Sequence, residues 1–433
     1  MAPRLPPLCP SAPLPLRPPC PLSEPMALPL SQFRPAAPKP VSAAAALAEP
    51  HAPVTSLYMH VPFCFHKCHY CDFYSIVDTE DRQEPFVDRL IEELAALAPQ
   101  AGPLETIFVG GGTPSLLRPD LWSRLLDALH RLMPLAKGVE FTVECNPETV
   151  TAELLGVLTG GGVNRISMGS QSFHEKHLKT LERWHDPASV GRSVGLVRAA
   201  GISRVSMDLI YAIPGQTLAE WESDLAIALS FATTHLSCYN LTYEPNTAMA
   251  VRLKQGEFVA ADEDLEVAMF EATDRQLTGA GLERYEVSNY AVPGQECRHN
   301  LVYWNHGQWL AAGPSASAHV GGYRFKNIGR LPDYLTASPD GSGLPGVTDL
   351  EPPDDARAVR ERIMTGLRLR EGLDPVITLA AEAARPGAAA VLTQLAAEFE
   401  RDGLLTRTPR WQVTARGWLL ADYIARRMMR AVA

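Results

Sequence analysis

Three cysteines within eight positions, Cys64, Cys68 and Cys71 in the segment YMHVPFCFHKCHYCDF, are the residues best suited to do chemistry. Their C-x3-C-x2-C spacing puts three thiols on one short loop, directly after text that predicts a strand. Three thiolates on a compact loop can ligate three irons of a cubane [4Fe–4S] cluster, leaving the fourth iron without a protein ligand. That open iron is the functional point. S-adenosylmethionine (SAM) can chelate it through its amino and carboxylate groups, and the reduced cluster can then pass an electron to the sulfonium and release a 5′-deoxyadenosyl radical. Zinc is the rival reading, with His66 or His69 completing a tetrahedron. Structural zinc is usually gripped by two separated knuckles, however, and no second CxxC exists in the chain. The other cysteines, Cys9, Cys20, Cys145, Cys238 and Cys297, are scattered. That usage suits metal binding in a reducing compartment, hence a cytoplasmic protein, better than a disulfide framework. Cys145 and Cys238 fall in strand text and read as small buried apolar residues.

A loop of this kind needs a scaffold, and the text from residue 55 supplies one. Candidate strands at 55–61, 104–109, 139–145, 163–168, 203–210 and 235–241 alternate with helical spacings such as Phe86, Leu90, Leu94, Leu97 and Leu121, Leu125, Leu129. Repeated βα units predict a parallel sheet, and six of them suit an open or closed barrel. Active sites of such barrels sit at the C-terminal ends of the strands, where the cysteine loop lies. The same edge carries GGGTP at 110–114 after the second strand, Glu144 ending the third, Gln171 after the fourth and Asp208 late in the fifth. Glycines there let backbone approach a ligand closely. The polar residues interrupt apolar text where a purely structural barrel would keep apolar side chains.

Composition narrows the function classes. The 433 residues are 46% hydrophobic, and 39 basic against 49 acidic residues give a net charge of −10, which argues against nucleic acid as a partner. No stretch approaches the roughly 20 uninterrupted apolar residues of a membrane span, so an integral membrane protein is not expected. Residues 1–50 are so rich in proline that a disordered extension is expected. A barrel over 51–290 and a loop-rich connection over 291–350, with Trp304, Trp309 and the run SPDGSGLPG, should follow. Residues 351–433 read as helix, helix and short wing, a winged-helix-like α+β accessory domain. Arg426, Arg427 and Arg430 in it read as a solvated helix face.

The linked motifs YMHVPFC, GGGTPS, ECNPE, RISMGSQSF, MDLIYAIPGQT, HNLVYW and GPSASAH resemble the oxygen-independent coproporphyrinogen III oxidase group of radical SAM proteins, and within it the heme chaperone HemW branch. The resemblance runs from about residue 55 to the C-terminus. It implies an α/β fold, a partial (β/α)6 radical SAM barrel with a C-terminal HemN-like accessory domain. It implies a cluster on Cys64, Cys68 and Cys71, and Tyr58 against the bound SAM. Gly111, Gly112 and Thr113 would line the SAM amino and carboxylate region, and Glu144, Gln171, Arg183 and Asp208 match the remaining SAM positions. Arg183 sits in helical text, where a surface arginine is the plainer reading.

The oxidase branch carries a further cysteine in a CxxCxC pattern, where this chain has Phe73. HNLVYW at 299–304 looks like the HNxxYW signature of the chaperone branch, which makes His299 a candidate heme iron ligand and Cys297 its alternative. His319 reads as packed behind the GPSASAH turn. The resemblance implies heme uptake and transfer to acceptor hemoproteins such as membrane respiratory enzymes, with a bacterioferritin-like heme donor and a homodimer as further partners. The alternative it leaves is an enzyme of porphyrin biosynthesis, oxidatively decarboxylating coproporphyrinogen III to protoporphyrinogen IX.

Overall fold

Six parallel strands form the middle of a nine-stranded sheet: β1 (Val54–Val61), β2 (Ala101–Gly111), β3 (Leu135–Cys145), β4 (Arg165–Gln171), β5 (Arg204–Tyr211) and β6 (His235–Asn240), each hydrogen-bonded to the next. The structure, a computed structural model, describes residues 41–49, 51–336, 338 and 341–433. All six strands fall where the apolar text predicts them, with ends that differ by a few residues. β4 runs on to Gln171 because Gly169 and Gln171 still pair with Asp208 and Leu209 of β5, a polar extension that hydrophobic patterning does not reveal.

The helices that return the chain between strands cover the outside. Phe86, Leu90, Leu94 and Leu97 of the helix Gln83–Leu97 are all buried, as are Leu121, Leu125 and Leu129 of Pro119–Leu132. Burial on one face at helical spacing is what holds each βα unit to the sheet. The sheet does not close on itself. Leu310–Ala312 extends it parallel to β1, while Asn289–Ala291, antiparallel to β6, and then Glu283–Arg284 extend the other edge.

Two expectations are corrected. Residues 41–49 are structured although disorder was expected through residue 50: Val41–Ser42 pairs antiparallel with Gly346 and Val347, and Ala43, Ala46 and Leu47 are buried in the main core. Residues 1–40 and 50 lie outside the described residues. The connection over 291–350 is also less loop-rich than its text. Ser317–Val320, Tyr323–Asn327 and Gly346–Glu351 form a four-stranded sheet with Val41–Ser42. Strands of four to six residues are too short for a period to stand out.

Residues 355–433 pack around a second core of their own, from Val359 to Val432. Three helices (Asp355–Gly366, Ile377–Ala384, Ala388–Arg401), one more than the text suggested, precede the hairpin Leu405–Thr406/Gln412–Val413, and the helix Ala421–Met429 occupies text read as wing. Arg427 lies over the Phe399 and Tyr423 rings.

One buried carboxyl ties the small sheet to the barrel. Glu93 accepts from Gly313 N–H (2.9 Å), the Tyr334 hydroxyl (2.7 Å) and the Asn327 amide (2.7 Å). Burial pushes its carboxyl up to about 7 against those donors. Gly313 holds a φ of +99°, and a Cβ there would meet the His60 carbonyl oxygen at 2.3 Å. Gly313→Ala is therefore expected to cost about 2–4 kcal/mol, seen as a lower thermal unfolding midpoint. An unchanged midpoint would contradict this account of the junction.

Candidate functional site

The cysteine loop is held by backbone pairing that continues past the strand ends. Gly112 N–H donates to Val61 (2.8 Å) and Thr113 N–H to Phe63 (2.7 Å), while Cys64 N–H donates to Ile76 and Ile76 N–H to Pro62, both at 2.8 Å. A Cβ on Gly112 would lie 2.7 Å from the Phe63 carbonyl oxygen, so this approach requires glycine. Farther along, His69 N–H donates to Leu181 (3.2 Å), and Met249 N–H donates to the His69 carbonyl (2.9 Å). The Lys67 ammonium bonds the Phe73 carbonyl and the Ser75 hydroxyl, closing the loop from outside.

All three thiols are free of disulfides and line one cavity of about 430 Å³. Thr113 Oγ1 stands 3.6 Å from Cys64 Sγ, and Arg183 Nη1 donates to Cys68 Sγ at 3.8 Å. Gly111, Gly112, Thr113, Glu144, Gln171, Arg183 and Asp208 line the same cavity. Arg183 is not on a helix. The helix Glu175–Thr180 ends, Glu182 takes a φ of +52°, and Arg183 turns inward to donate from Nη2 to the Gly169 carbonyl at 2.8 Å.

The charges inside are strongly coupled. Burial, then the Asp208 charge, pushes the Glu144 carboxyl up to about 8, against the Gly111 N–H (3.2 Å) and the Arg183 guanidinium. Burial also raises Asp208, while Ser237, Arg165 and Ser167 oppose it. Two carboxyl groups are thus held out of water with too little positive charge to ionise both freely. An amino group of a ligand would find its partner there.

Tyr58 lies deeper, bordering a second cavity of about 140 Å³ inside the barrel that shares Glu144, Ser167, Asp208 and Tyr239 with the first. Its hydroxyl is hydrogen-bonded to His60 Nδ1 at 3.1 Å. Burial, with the Glu144 charge behind it, keeps that hydroxyl protonated well above the ordinary tyrosine range. Arg165 is buried on the same wall, and its Nη2 has no hydrogen-bond partner. Sequence reading passed over it, although a charged residue inside the strand text VNRISM was the available signal.

His299 lies apart from the cysteine cavity. It sits in the helix Arg298–Trp304 at 1% exposure, inside the protein, with its ring stacked on Phe108. Thr106 gives its own hydroxyl proton to Ser56 (3.0 Å), so His299 Nδ1 donates to Thr106 (2.8 Å) and Nε2 accepts from the Tyr303 hydroxyl (2.8 Å). Burial pushes the imidazole down to about 3. Both ring nitrogens are occupied within the protein. Cys297 is buried too, its Sγ 3.6 Å from Glu140 Oε1, and burial pushes its thiol up to about 11. His319 Nδ1 is hydrogen-bonded to the Gly307 carbonyl at 2.7 Å.

A cubane cluster fits the thiol arrangement. Three free sulfurs line one cavity, with a guanidinium on one of them and polar strand-end residues lining the same cavity. Among the described residues, no three His, Cys, Asp or Glu side chains gather as a single metal ion needs.

Residues 58–227 match the Radical SAM superfamily and residues 354–420 the HemN C-terminal domain. The heme chaperone HemW of Mycobacterium tuberculosis is 36% identical over 379 residues, which span 86% of this chain and 94% of that protein. HemW of Lactococcus lactis is 36% identical over 318 residues (73% and 82%), and HemW of Escherichia coli 41% over 272 (62% and 71%). This chain belongs to the HemW family. The fold of the family is visible in the solved coproporphyrinogen III oxidase HemN of Escherichia coli, a radical SAM enzyme, with a TM-score of 0.75 at 23% identity over 89% of this chain and 92% of that one. Membership of the radical SAM superfamily implies a [4Fe–4S] cluster and SAM. Among the described residues, no helix is long and apolar enough to cross a membrane.

In this HemW-family chain the HNxxYW signature packs helix to barrel. His299→Ala is expected to cost about 2–4 kcal/mol, from lost packing and an orphaned Tyr303 hydroxyl. Equilibrium denaturation reads it. A variant as stable as the wild type would contradict this role.

Proposed function

We propose that this protein is a cytoplasmic heme chaperone that binds heme and passes it to acceptor hemoproteins, with a [4Fe–4S] cluster on Cys64, Cys68 and Cys71 and SAM beside it. The observation that carries this reading is the 36% identity over 94% of the length of a heme chaperone. Phe73 supports it. It stands 65% exposed at the rim of the cysteine cavity, where the oxidase pattern would add a thiol.

The residues divide the work by position. Gly111 and Gly112 bring backbone to the cavity wall without side chains, leaving room for a ligand along it. Glu144 and Asp208 offer the negative charge that an amino group needs, and Tyr58 remains a neutral hydroxyl below them. Arg183 donates to one cysteine sulfur and anchors to Gly169, so it fixes that sulfur's position and charge. When bound, the cluster supplies one electron at a time to a ligand on its open iron.

The test is an anaerobic assay of reconstituted protein with a reductant, SAM and coproporphyrinogen III, run beside transfer of bound heme to an apo-hemoprotein. Heme transfer without protoporphyrinogen formation is expected. Robust protoporphyrinogen production would replace this reading with the oxidase. In the same preparation, Arg183→Met is expected to make the cluster harder to reduce, because hydrogen bonds to sulfur raise cluster potentials. A redox titration followed by electron paramagnetic resonance (EPR) reports the direction, and an unchanged or higher potential would contradict the role given to Arg183.

A further inference from the structure

The cavity inside the barrel is lined by polar side chains, among them Arg165, Ser167, Ser206, His235 and Asn300, where a barrel packed only for stability would place branched apolar residues. Most of them satisfy one another. Ser206 is hydrogen-bonded to His235 Nδ1 (2.7 Å), His235 Nε2 to the Tyr285 hydroxyl (2.9 Å), and Asn300 Nδ2 donates to that hydroxyl at 3.2 Å. Arg165 stands outside this network. It is 2% exposed, its Nη2 has no hydrogen-bond partner, and among the described residues no carboxylate forms an ion pair with it. Taking an unpaired guanidinium out of water is costly, and arginine cannot escape the cost by giving up its proton. An unpartnered one at a cavity therefore calls for an explanation.

No neighbour is a dedicated counter-charge. Burial opposes the charge of Arg165, and the groups that support it are, in order, Cys297, Glu140, Tyr285 and Asp208. Burial keeps the Cys297 thiol and the Tyr285 hydroxyl protonated, so neither carries a charge at neutral pH. Glu140 is taken by the Arg204 guanidinium (2.8 Å) and by His299 N–H (3.0 Å). Asp208 accepts from the Ser167 hydroxyl (3.4 Å) and lies level with Gly169, whereas Arg165 lies level with Arg204. That separation is four residues, or about 13 Å of strand.

The shape and the way in suit a small anion. About 140 Å³ holds roughly four or five water molecules at about 30 Å³ each, which is also the room needed by an acid of about two to four carbons. The cavity shares Glu144, Ser167, Asp208 and Tyr239 with the cysteine cavity, which gives a ligand its path to Arg165. A guanidinium meets a carboxylate with two parallel N–H donors, the geometry that a lone ammonium cannot offer.

We propose that the floor of the barrel binds a short-chain organic acid, its carboxylate on the Arg165 guanidinium and its chain directed up toward Glu144. The site puts a second ligand beneath the cysteine cavity and stands independently of the heme-carrier reading.

The test titrates acetate, propionate, butyrate and the neutral propionamide into the full-length protein with its cluster reconstituted, at fixed pH and ionic strength. Calorimetry reads affinity, and thermal unfolding reads the stabilisation that binding brings. At least one acid should bind saturably and raise the unfolding midpoint, with propionamide weaker by at least about tenfold. Arg165→Met should lose both responses while its acid-free midpoint stays at or above that of the wild type, because the exchange removes an unpaired buried charge. Arg165→Lys keeps the charge without the planar fork and should bind more weakly than the wild type; it carries the test if Arg165→Met does not fold. Absence of saturable binding by every acid, equal binding of propionamide, or an Arg165→Met that responds as the wild type does overturns the site. A lowered acid-free midpoint in Arg165→Met, with a wild type indifferent to acids, assigns the guanidinium to folding and overturns it too.

Discussion

β1 and β2 go on bonding to each other after the sheet has ended, and the site depends on that contact. Gly112 and Thr113 donate to Val61 and Phe63 across a gap with no room for a Cβ at Gly112, and Cys64 follows one residue later. The loop that carries the thiols is in effect a backbone-bonded extension of the sheet. Its position follows from the pairing register, since His60 faces Gly110 and Val61 faces Gly111. Surface loops of this length are ordinarily mobile, but here few of the degrees of freedom remain.

Around that fixed loop, the interior is arranged by charge as much as by packing. Glu140 is fully buried between the Arg204 guanidinium (2.8 Å) and the first turn of the helix Arg298–Trp304, where it accepts from His299 N–H (3.0 Å). A carboxylate at a helix N-terminus is favourably placed, and this one locks the helix across the bottom of the barrel. Toward the top, burial raises both Glu144 and Asp208, the Asp208 charge raises Glu144 further, and Arg183 offsets them only in part. The lower carboxylate, Glu140, has a guanidinium beside it, whereas the upper carboxyl pair still lacks positive charge. That difference separates structural polar residues from those available to a ligand.

Much of this was legible beforehand. The apolar runs and helical spacings mark the six strands and their covering helices, because each buries a face whose period is visible in the text. The cysteine spacing and the polar strand ends mark the cavity. Arg183 lies in text that reads as a helix surface, and nothing local announces that the helix stops and the arginine turns inward. The surroundings of His299 were hidden as well. A signature histidine reads as a ligand, yet Thr106 lies far away in sequence and occupies one of its nitrogens. Hydrogen bonds between distant residues leave no periodic trace, so a motif's role in packing and its role in chemistry look alike in a single chain.

The strand Leu310–Ala312 has a consequence for how the molecule is made. It pairs with Leu57, Tyr58 and Met59 on the outer edge of β1, while the pairing partner of Val41–Ser42 comes later still, at Gly346–Val347. Ribosomal synthesis proceeds from the N-terminus, so β1 is among the first strands produced and among the last to be bonded on both edges. Through most of elongation the strand leading into the cysteines presents a bare edge of N–H and C=O groups, the kind that invites mispairing. Premature termination anywhere before residue 310 would leave the thiols on a sheet with that edge still open.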